Sequence, residues 1–238
     1  KVNCKYTLGL TATPTRTDGL THVFLDFLGP IVYKSNKEKD DKNNVIIAHI
    51  PYFDDSQSYN KEELTGMGKI CTSRIINNIT EYTPRSNLIV KIINSLIIDK
   101  ERNIILLSDR REHLKYLYET LKSLNEELEV GFYVGGMKQK LLDNTANKSQ
   151  IILSTFSMAA EALDIPKLNC LILASPKVNV EQAVGRILRK KHSINPLVID
   201  IEDKFSIFPN QYKKRLRFYK SNKYNIEDIN INYNMSNK

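Results

Sequence analysis

The sequence predicts an α/β protein: a parallel β-sheet with helices packed on both faces. Short apolar runs alternate with helix-like stretches from Ile104 to Ile201, which is the pattern of βαβ units. The 41 % hydrophobic content of the 238 residues suffices for a core of that size. Internal repeats and low-complexity tracts are absent, so neither a solenoid nor a disordered chain competes with this reading.

In chain order, Tyr6–Leu10 reads as a short strand, followed by a Thr/Pro-rich loop and an amphipathic helix that Gly29-Pro30 stops. So short a stretch buries too little to form a core of its own. Lys34–Asn44 is charged and Asn-rich without apolar periodicity, and suits a solvated loop. Val45–Phe53 is predicted as a strand and Lys61–Asn78 as a helix, with Tyr82-Thr83-Pro84 breaking the pattern before a helix over Ser86–Ile98. The regular part then follows. Strands are predicted at Ile104–Leu107, Val130–Val134, Ile151–Leu153, Leu171–Ala174 and Leu197–Ile201, and helices at Glu112–Leu124, Ser157–Leu163 and Val180–Leu188. Right-handed crossovers gather the loops after the strands at one sheet edge, where open α/β sheets bind ligands. The expected division is a terminal piece over residues 1–34, a connecting segment over 35–84, the main α/β domain over 85–205 and a basic extension over 206–238.

Composition narrows the function. Cys4, Cys71 and Cys170 form no CxxC pair, and His22, His49, His113 and His192 are scattered without clustered carboxylates, so neither a disulfide framework nor a metal site is expected. No apolar run approaches the roughly eighteen residues of a membrane span, and no secretory signal opens the chain, which implies an unanchored intracellular protein. The formal net charge is +8. Much of the excess lies in Lys204, Lys213, Lys214, Arg215, Arg217, Lys220 and Lys223, a stretch without one acidic residue that suits either a nucleic-acid backbone or a solvated helix face.

Four stretches carry candidate chemistry. Gln182, Arg186 and Arg189 have the spacing QxxGRxxR, which puts a glutamine and two guanidiniums on one helix face. Such a pair can clamp a phosphate and neutralise charge in phosphoryl transfer, though an ordinary arginine-bearing surface helix has the same pattern. Ser154-Thr155 closes a strand and precedes Asp164, so hydroxyls there can bond a phosphate or cap a helix, and the aspartate can accept from a ribose hydroxyl. Ser108-Asp109-Arg110 ends another strand, and a helix cap is its simpler reading. Gly135-Gly136 supplies a turn and would also let a sugar-phosphate chain approach the backbone. Thr65–Ile70 only mimics a phosphate loop. Glu63 stands where a Walker A motif needs glycine, and Ile70 where it needs Ser or Thr. No DExH-like acidic box is present.

Taken together, "LGLTATPTRTDG", "STFSMAAEALDIP" and "QAVGRILR" resemble motifs III, V and VI of superfamily 2 helicases, in the right order. "ILASPKVNVEQAVGRILRKKH" is similar to the DNA helicases of large cytoplasmic DNA viruses, including the poxvirus transcript-release type, and to related phage helicases. The resemblance implies a RecA-like second motor domain over 85–205, preceded by a remnant of a first RecA-like domain ending at motif III. It implies ATP and Mg²⁺ as cofactors of the full enzyme, neither held by this chain alone. Nucleic acid, with DNA favoured, and the first RecA-like domain would be its partners, and a cytoplasmic site, viral factory or virion its location. Gln182, Arg186 and Arg189 would reach the γ-phosphate, with Arg189 as arginine finger, and Asp164 would face the ribose. Thr155, with Ser154, Ser108, Gly135 and Gly136, would touch the nucleic-acid backbone, and Lys213, Lys214, Arg215 and Arg217 would extend that track. Thr11, Ala12, Thr13, Arg16 and Asp18 would couple nucleotide state to domain closure. The chain departs from the family at Ala162, where glycine is usual, so a backbone contact is not carried over to that position.

Overall fold

Strands buried on both faces must present apolar side chains in both directions, and the runs read from the sequence do so. The computed structural model describes residues 5–11, 20–33, 45–161 and 163–230. The chain divides into two compact units, Lys1–Asp40 and Asp41–Lys238.

In the second unit the described residues form one seven-stranded sheet from β1 (Ile46–Tyr52), β2 (Ile104–Leu107), β3 (Val130–Tyr133), β4 (Ile151–Ser154), β5 (Cys170–Leu173), β6 (Leu197–Asp203) and β7 (Asn225–Asp228). Its order is β3-β4-β2-β5-β6-β1-β7, and every pairing is parallel. Alternate side chains therefore sort into two cores. Ala48, Ile50, Ile104, Leu106, Ile172, Ile199 and Ile201 face helices α3 (Thr72–Glu81), α4 (Thr83–Leu96) and α5 (Arg111–Leu124). Ile47, Ile105, Leu107, Ile152, Leu171 and Val198 face α6 (Gln139–Lys148), α7 (Phe156–Glu161), α8 (Glu181–Arg186) and α9 (Phe208–Ser221). The short α2 (Gln57–Asn60) closes the first core with Tyr59, which is fully buried. This is a parallel sheet covered on both faces, as expected.

In the first unit, helix α1 (Thr21–Leu28) ends at Gly29, whose φ of 85° no other residue adopts cheaply. Tyr6–Leu10, predicted as a strand, is irregular and exposed, since a strand needs a ladder partner and no described residue of this unit provides one. Tyr6, Leu8, Leu10, Phe27, Val32 and Tyr33 leave this unit strongly apolar at its surface.

The segment expected to connect domains, 35–84, contributes β1, which pairs with β6 and β7 inside the sheet. The extension expected over 206–238 begins with α9 and β7, also built onto the sheet. The break expected at Tyr82-Thr83-Pro84 is present: α3 ends at Glu81 and α4 begins at Thr83, with Pro84 in its first turn, where its missing N–H costs nothing. The helix expected over Lys61–Asn78 starts only at Thr72, because residues 65–68 turn back so that Leu64 bridges Ile70, with Gly68 at φ 72°. None of the helices among the described residues is long and apolar enough to cross a membrane.

Candidate nucleotide and nucleic-acid site

All strands being parallel, their C-terminal ends share one edge, and the sheet order sets four loops side by side there: Gly135-Gly136 after β3, Thr155 after β4, Ser108–Arg110 after β2 and Ala174–Lys177 after β5. Side chains knit these loops together. The Lys177 ammonium lies 3.1 Å from the Asp109 carboxylate and 4.9 Å from the centre of the Phe156 ring, so one cation joins the ends of β2 and β5 to α7. The Asp109 N–H donates to Ser175 Oγ at 2.9 Å. Arg111 Nη2 donates to the Gly135 carbonyl at 2.7 Å, and Gly136 takes φ 86°, the turn its sequence anticipated.

The hydroxyls at this edge differ in reach. Thr155 is half-buried, and its Oγ1 accepts from the Met158 N–H at 3.4 Å, capping α7 while staying accessible. Ser154 and Ser108 are fully buried. Ser154 Oγ donates to the Tyr133 carbonyl at 2.6 Å, and Ser108 Oγ accepts from the Arg110 N–H at 3.2 Å. Their expected contact with a nucleic-acid backbone is therefore corrected: both hydroxyls are buried and tie the loops to the sheet. Ser108 does not cap α5 either, since the N-cap is Arg110 without a side-chain cap bond and Ser108 Oγ closes the turn before it.

Behind Ser108 lies His113, whose Nδ1 is 3.1 Å from Ser108 Oγ and whose Nε2 is 3.2 Å from Ser86 Oγ. Burial, seconded by the Arg85 charge, pushes its pKa down to about 3 from 6.5, so the folded ring is neutral. The folded pKa is depressed, so the unfolded chain binds the extra proton and this contribution to stability is lost as pH falls from 6.5 towards 3, at about 1.4 kcal/mol per pH unit. Thermal unfolding between pH 6 and 4 should thus fall more steeply for the unaltered chain than for His113→Gln. Equal slopes would contradict a neutral buried ring.

Helix α8 carries the QxxGRxxR octet. Gln182 is exposed on it, and Arg186 donates through Nη1 to the Leu163 carbonyl at 2.8 Å and through Nη2 to the Ala160 carbonyl. Burial and then the neighbouring Arg189 lower the Arg186 pKa from its ordinary value. In this conformation Arg186 staples α8 to the end of α7. Arg189, just beyond the helix, is ion-paired with Asp164, which is largely exposed. Gly185 lies on the open face of α8, where a side chain would meet nothing within 4 Å. No packing among the described residues requires glycine there, and its absence of side chain leaves room for a close external approach.

The basic stretch resolves into two populations. Lys213, Lys214, Arg217 and Lys220 are exposed along the outer face of α9. Arg215 is 3 % exposed and grips Asp200 with two nitrogens, at 2.9 and 2.7 Å. Its assignment to the nucleic-acid track is corrected, because reaching a phosphate would strand a buried carboxylate. Of the expected coupling residues, Thr11 is exposed, and Ala12, Thr13, Arg16 and Asp18 lie outside the described residues, as does Ala162. Sequence reasoning missed Lys177 as a link between loops, and it missed Arg85 and Arg215 as buried cations. The available signal was the run of carboxylates Asp200, Glu202 and Asp203 in the strand "LVIDIED", whose other residues are apolar.

Residues 87–191 match the family model described as helicase conserved C-terminal domain. The putative ATP-dependent RNA helicase L396 of Acanthamoeba polyphaga mimivirus is 37 % identical over 249 residues, covering 100 % of this chain and 46 % of that protein. The transcript termination protein A18 of Yaba-like disease virus is 29 % identical over 151 residues, covering 58 % of this chain and 29 % of that protein. The crystal structure of T4 UvsW superposes with a TM-score of 0.60 at 20 % identity, covering 79 % of this chain and 41 % of that one. The chain thus spans less than half the length of these relatives. Sequence relatives and fold agree: residues 87–191 match the helicase conserved C-terminal domain, and the chain is similar along its whole length to a viral helicase.

Proposed function

We propose that the chain is the C-terminal motor portion of an ATP-dependent helicase or translocase, supplying an arginine finger and part of a nucleic-acid track to a phosphate-loop domain of the RecA-like kind. The observation that carries this is the juxtaposition of Arg189 with Asp164 beside the loop edge of the sheet, reached from α8 and the segment after α7. A guanidinium on an exposed carboxylate is a mobile cation in a fixed place. When the triphosphate is bound across the two domains, it supplies the phosphoryl bond that is hydrolysed. Arg189 then leaves Asp164 to donate to the terminal phosphate oxygens, and Gln182 reaches the same group. Asp164, released, accepts from the ribose, and Arg186 keeps α8 at its station on α7. The donor set fits the outer end of a nucleotide: the Arg189 guanidinium, the Gln182 amide and the Asp164 carboxylate, with Arg186 holding the helix that presents them. Mg²⁺ and the inner phosphates fall to the Walker and acidic motifs of the other domain, so this chain alone does not turn over ATP. Thr11, Ala12, Thr13, Arg16 and Asp18 are assigned to coupling between the domains.

Thr155 and the Gly135-Gly136 turn would receive the nucleic-acid backbone at the sheet edge, and Lys213, Lys214 and Arg217 would extend the contact. DNA is the substrate this reading favours, although the mimivirus relative carries the name of an RNA helicase. The protein then acts inside the cell, at a site of viral nucleic-acid metabolism. Binding of single-stranded DNA to the chain should be sequence-independent and steeply salt-dependent, since each neutralised phosphate contributes about 0.7 to the slope of log affinity on log salt. Lys213→Glu/Lys214→Glu/Arg217→Glu should lower that slope by about 2 and weaken binding about tenfold or more. An unchanged slope would make the outer face of α9 an ordinary solvated surface.

A further inference from the structure

Strand β6 carries two aspartates three residues apart, and side chains of odd separation on a strand point to opposite faces. Each is held in the same way. On one face Arg85, fully buried in the first turn of α4, donates from Nε to Asp203 Oδ1 at 2.7 Å and from Nη2 to Oδ2 at 3.0 Å, while Tyr59 Oη donates to Oδ1 at 2.7 Å. On the other face Arg215 of α9 donates from Nε and Nη2 to Asp200, and Tyr219 Oη donates to Asp200 Oδ2 at 2.8 Å.

The remaining guanidinium nitrogen of each arginine goes to the same place. Arg85 Nη1 donates to the Ala174 carbonyl at 2.6 Å, and Arg215 Nη1 donates to the Lys177 carbonyl at 2.6 Å. Two buried forks thus hold the two ends of the four-residue stretch Ala174–Lys177, one from each face of the sheet. Its middle is fixed as well, since Ser175 is 1 % exposed and accepts from the Asp109 N–H. That stretch opens the loop that continues through residues 178–180 into α8, and so bears on where the helix carrying Gln182 and Arg186, with Arg189 just beyond it, leaves the sheet.

We propose that Arg85 and Arg215 are positioning residues for α8: each uses the rigid, planar fork of arginine to lock the β5–α8 loop to β6, Arg85 at its start and Arg215 at its middle, and together they fix the station from which Arg189 acts. A fork that spends two donors on a carboxylate and a third on a carbonyl is a geometry that lysine, with one nitrogen, does not reproduce. The paired carboxylates fix each guanidinium, and the tyrosines fix the carboxylates. This inference rests on the reading of Arg189 as the finger. Displacing a reacting group by about 1 Å costs on the order of 10²-fold in rate, so the clamp's effect belongs in kcat and not in nucleotide affinity.

The test is Arg85→Lys and Arg215→Lys, which retain the charge and remove the fork. In the complete polypeptide, with its phosphate-loop domain, each should lower kcat about 10- to 100-fold with KM for ATP changed less than about threefold. In the 238-residue chain, amide hydrogen exchange should quicken across residues 174–186 while β1 and β6 keep their protection, a pattern that a general loss of stability does not give. Wild-type kcat, or exchange that quickens uniformly over the sheet, would overturn the proposal. Should neither variant fold, exchange in the unaltered chain decides: Val184 and Ile187 amides of the α8 segment as protected as those of β5 support a fixed station for the helix, and exchange at the rate of a free loop overturns it. Full turnover by Arg189→Ala would instead remove the finger and leave the exchange result standing on its own.

Discussion

Arg189→Ala is expected to lower nucleic-acid-stimulated ATP hydrolysis by about 10³-fold or more in the complete polypeptide, the magnitude an arginine finger contributes in phosphoryl-transfer enzymes. The loss should fall on kcat, because the interaction is made in the transition state, while nucleotide binding by the other domain survives. Arg189→Lys should recover little: an ammonium restores the charge without the fork that reaches two phosphate oxygens. The folded chain should be almost indifferent to either change. Arg189 lies outside the core, and its partner Asp164 is largely exposed, so the ion pair it loses is of the weakly stabilising surface kind. A large loss of turnover with an unchanged melting profile separates a chemical role from a structural one. Normal turnover would remove the assignment.

Arg85→Met is expected to have the opposite profile, a large cost in stability. It strands the Asp203 carboxylate, fully buried, with only the Tyr59 hydroxyl among its present partners, and breaking a buried pair in this way costs about 3 to 5 kcal/mol. For a domain of this size that is on the order of 10 °C in Tm. Removing the whole constellation together, as Tyr59→Phe/Arg85→Met/Asp203→Leu, should recover most of the loss, because apolar side chains of similar volume pack without a desolvation cost. What remains is the Ala174 carbonyl without its donor. Thermal unfolding of the two variants checks this. A triple variant no more stable than the single one would mean that the charged pair itself, and not the penalty of leaving it unpaired, holds α4 to β6.

The parts of the fold legible in the sequence are those whose signal is local. β2, β4 and β5 are continuous apolar runs, and α5 has a clear apolar stripe at Leu114, Leu117 and Leu121, so periodicity alone places them. Helix α6 went unread because only Leu142 and Thr145 of its ten residues are buried. β7 went unread because it is an edge strand whose only half-buried residue is Ile226. β1 was recognisable as a strand but not as a member of this sheet, since its neighbour β6 lies about 150 residues downstream and nothing local encodes that pairing. At the site, the spacing of Gln182, Arg186 and Arg189 was readable as one helix face. The roles of Arg85, Arg215 and His113 were not. Charge in a sequence reads as exposure, and each of these side chains is buried by partners that only the fold brings near.

The most direct measurement is ATP hydrolysis by the complete polypeptide and by the 238-residue chain, each with single-stranded DNA, duplex DNA, forked DNA and RNA in parallel. This account expects the complete protein to hydrolyse ATP with stimulation by at least one polynucleotide, most by DNA, and the chain alone to bind nucleic acid without turnover. Turnover by the chain alone, or a complete protein indifferent to all four polynucleotides, would contradict the claim that this domain lends an arginine finger and a nucleic-acid track to a nucleotide site completed elsewhere.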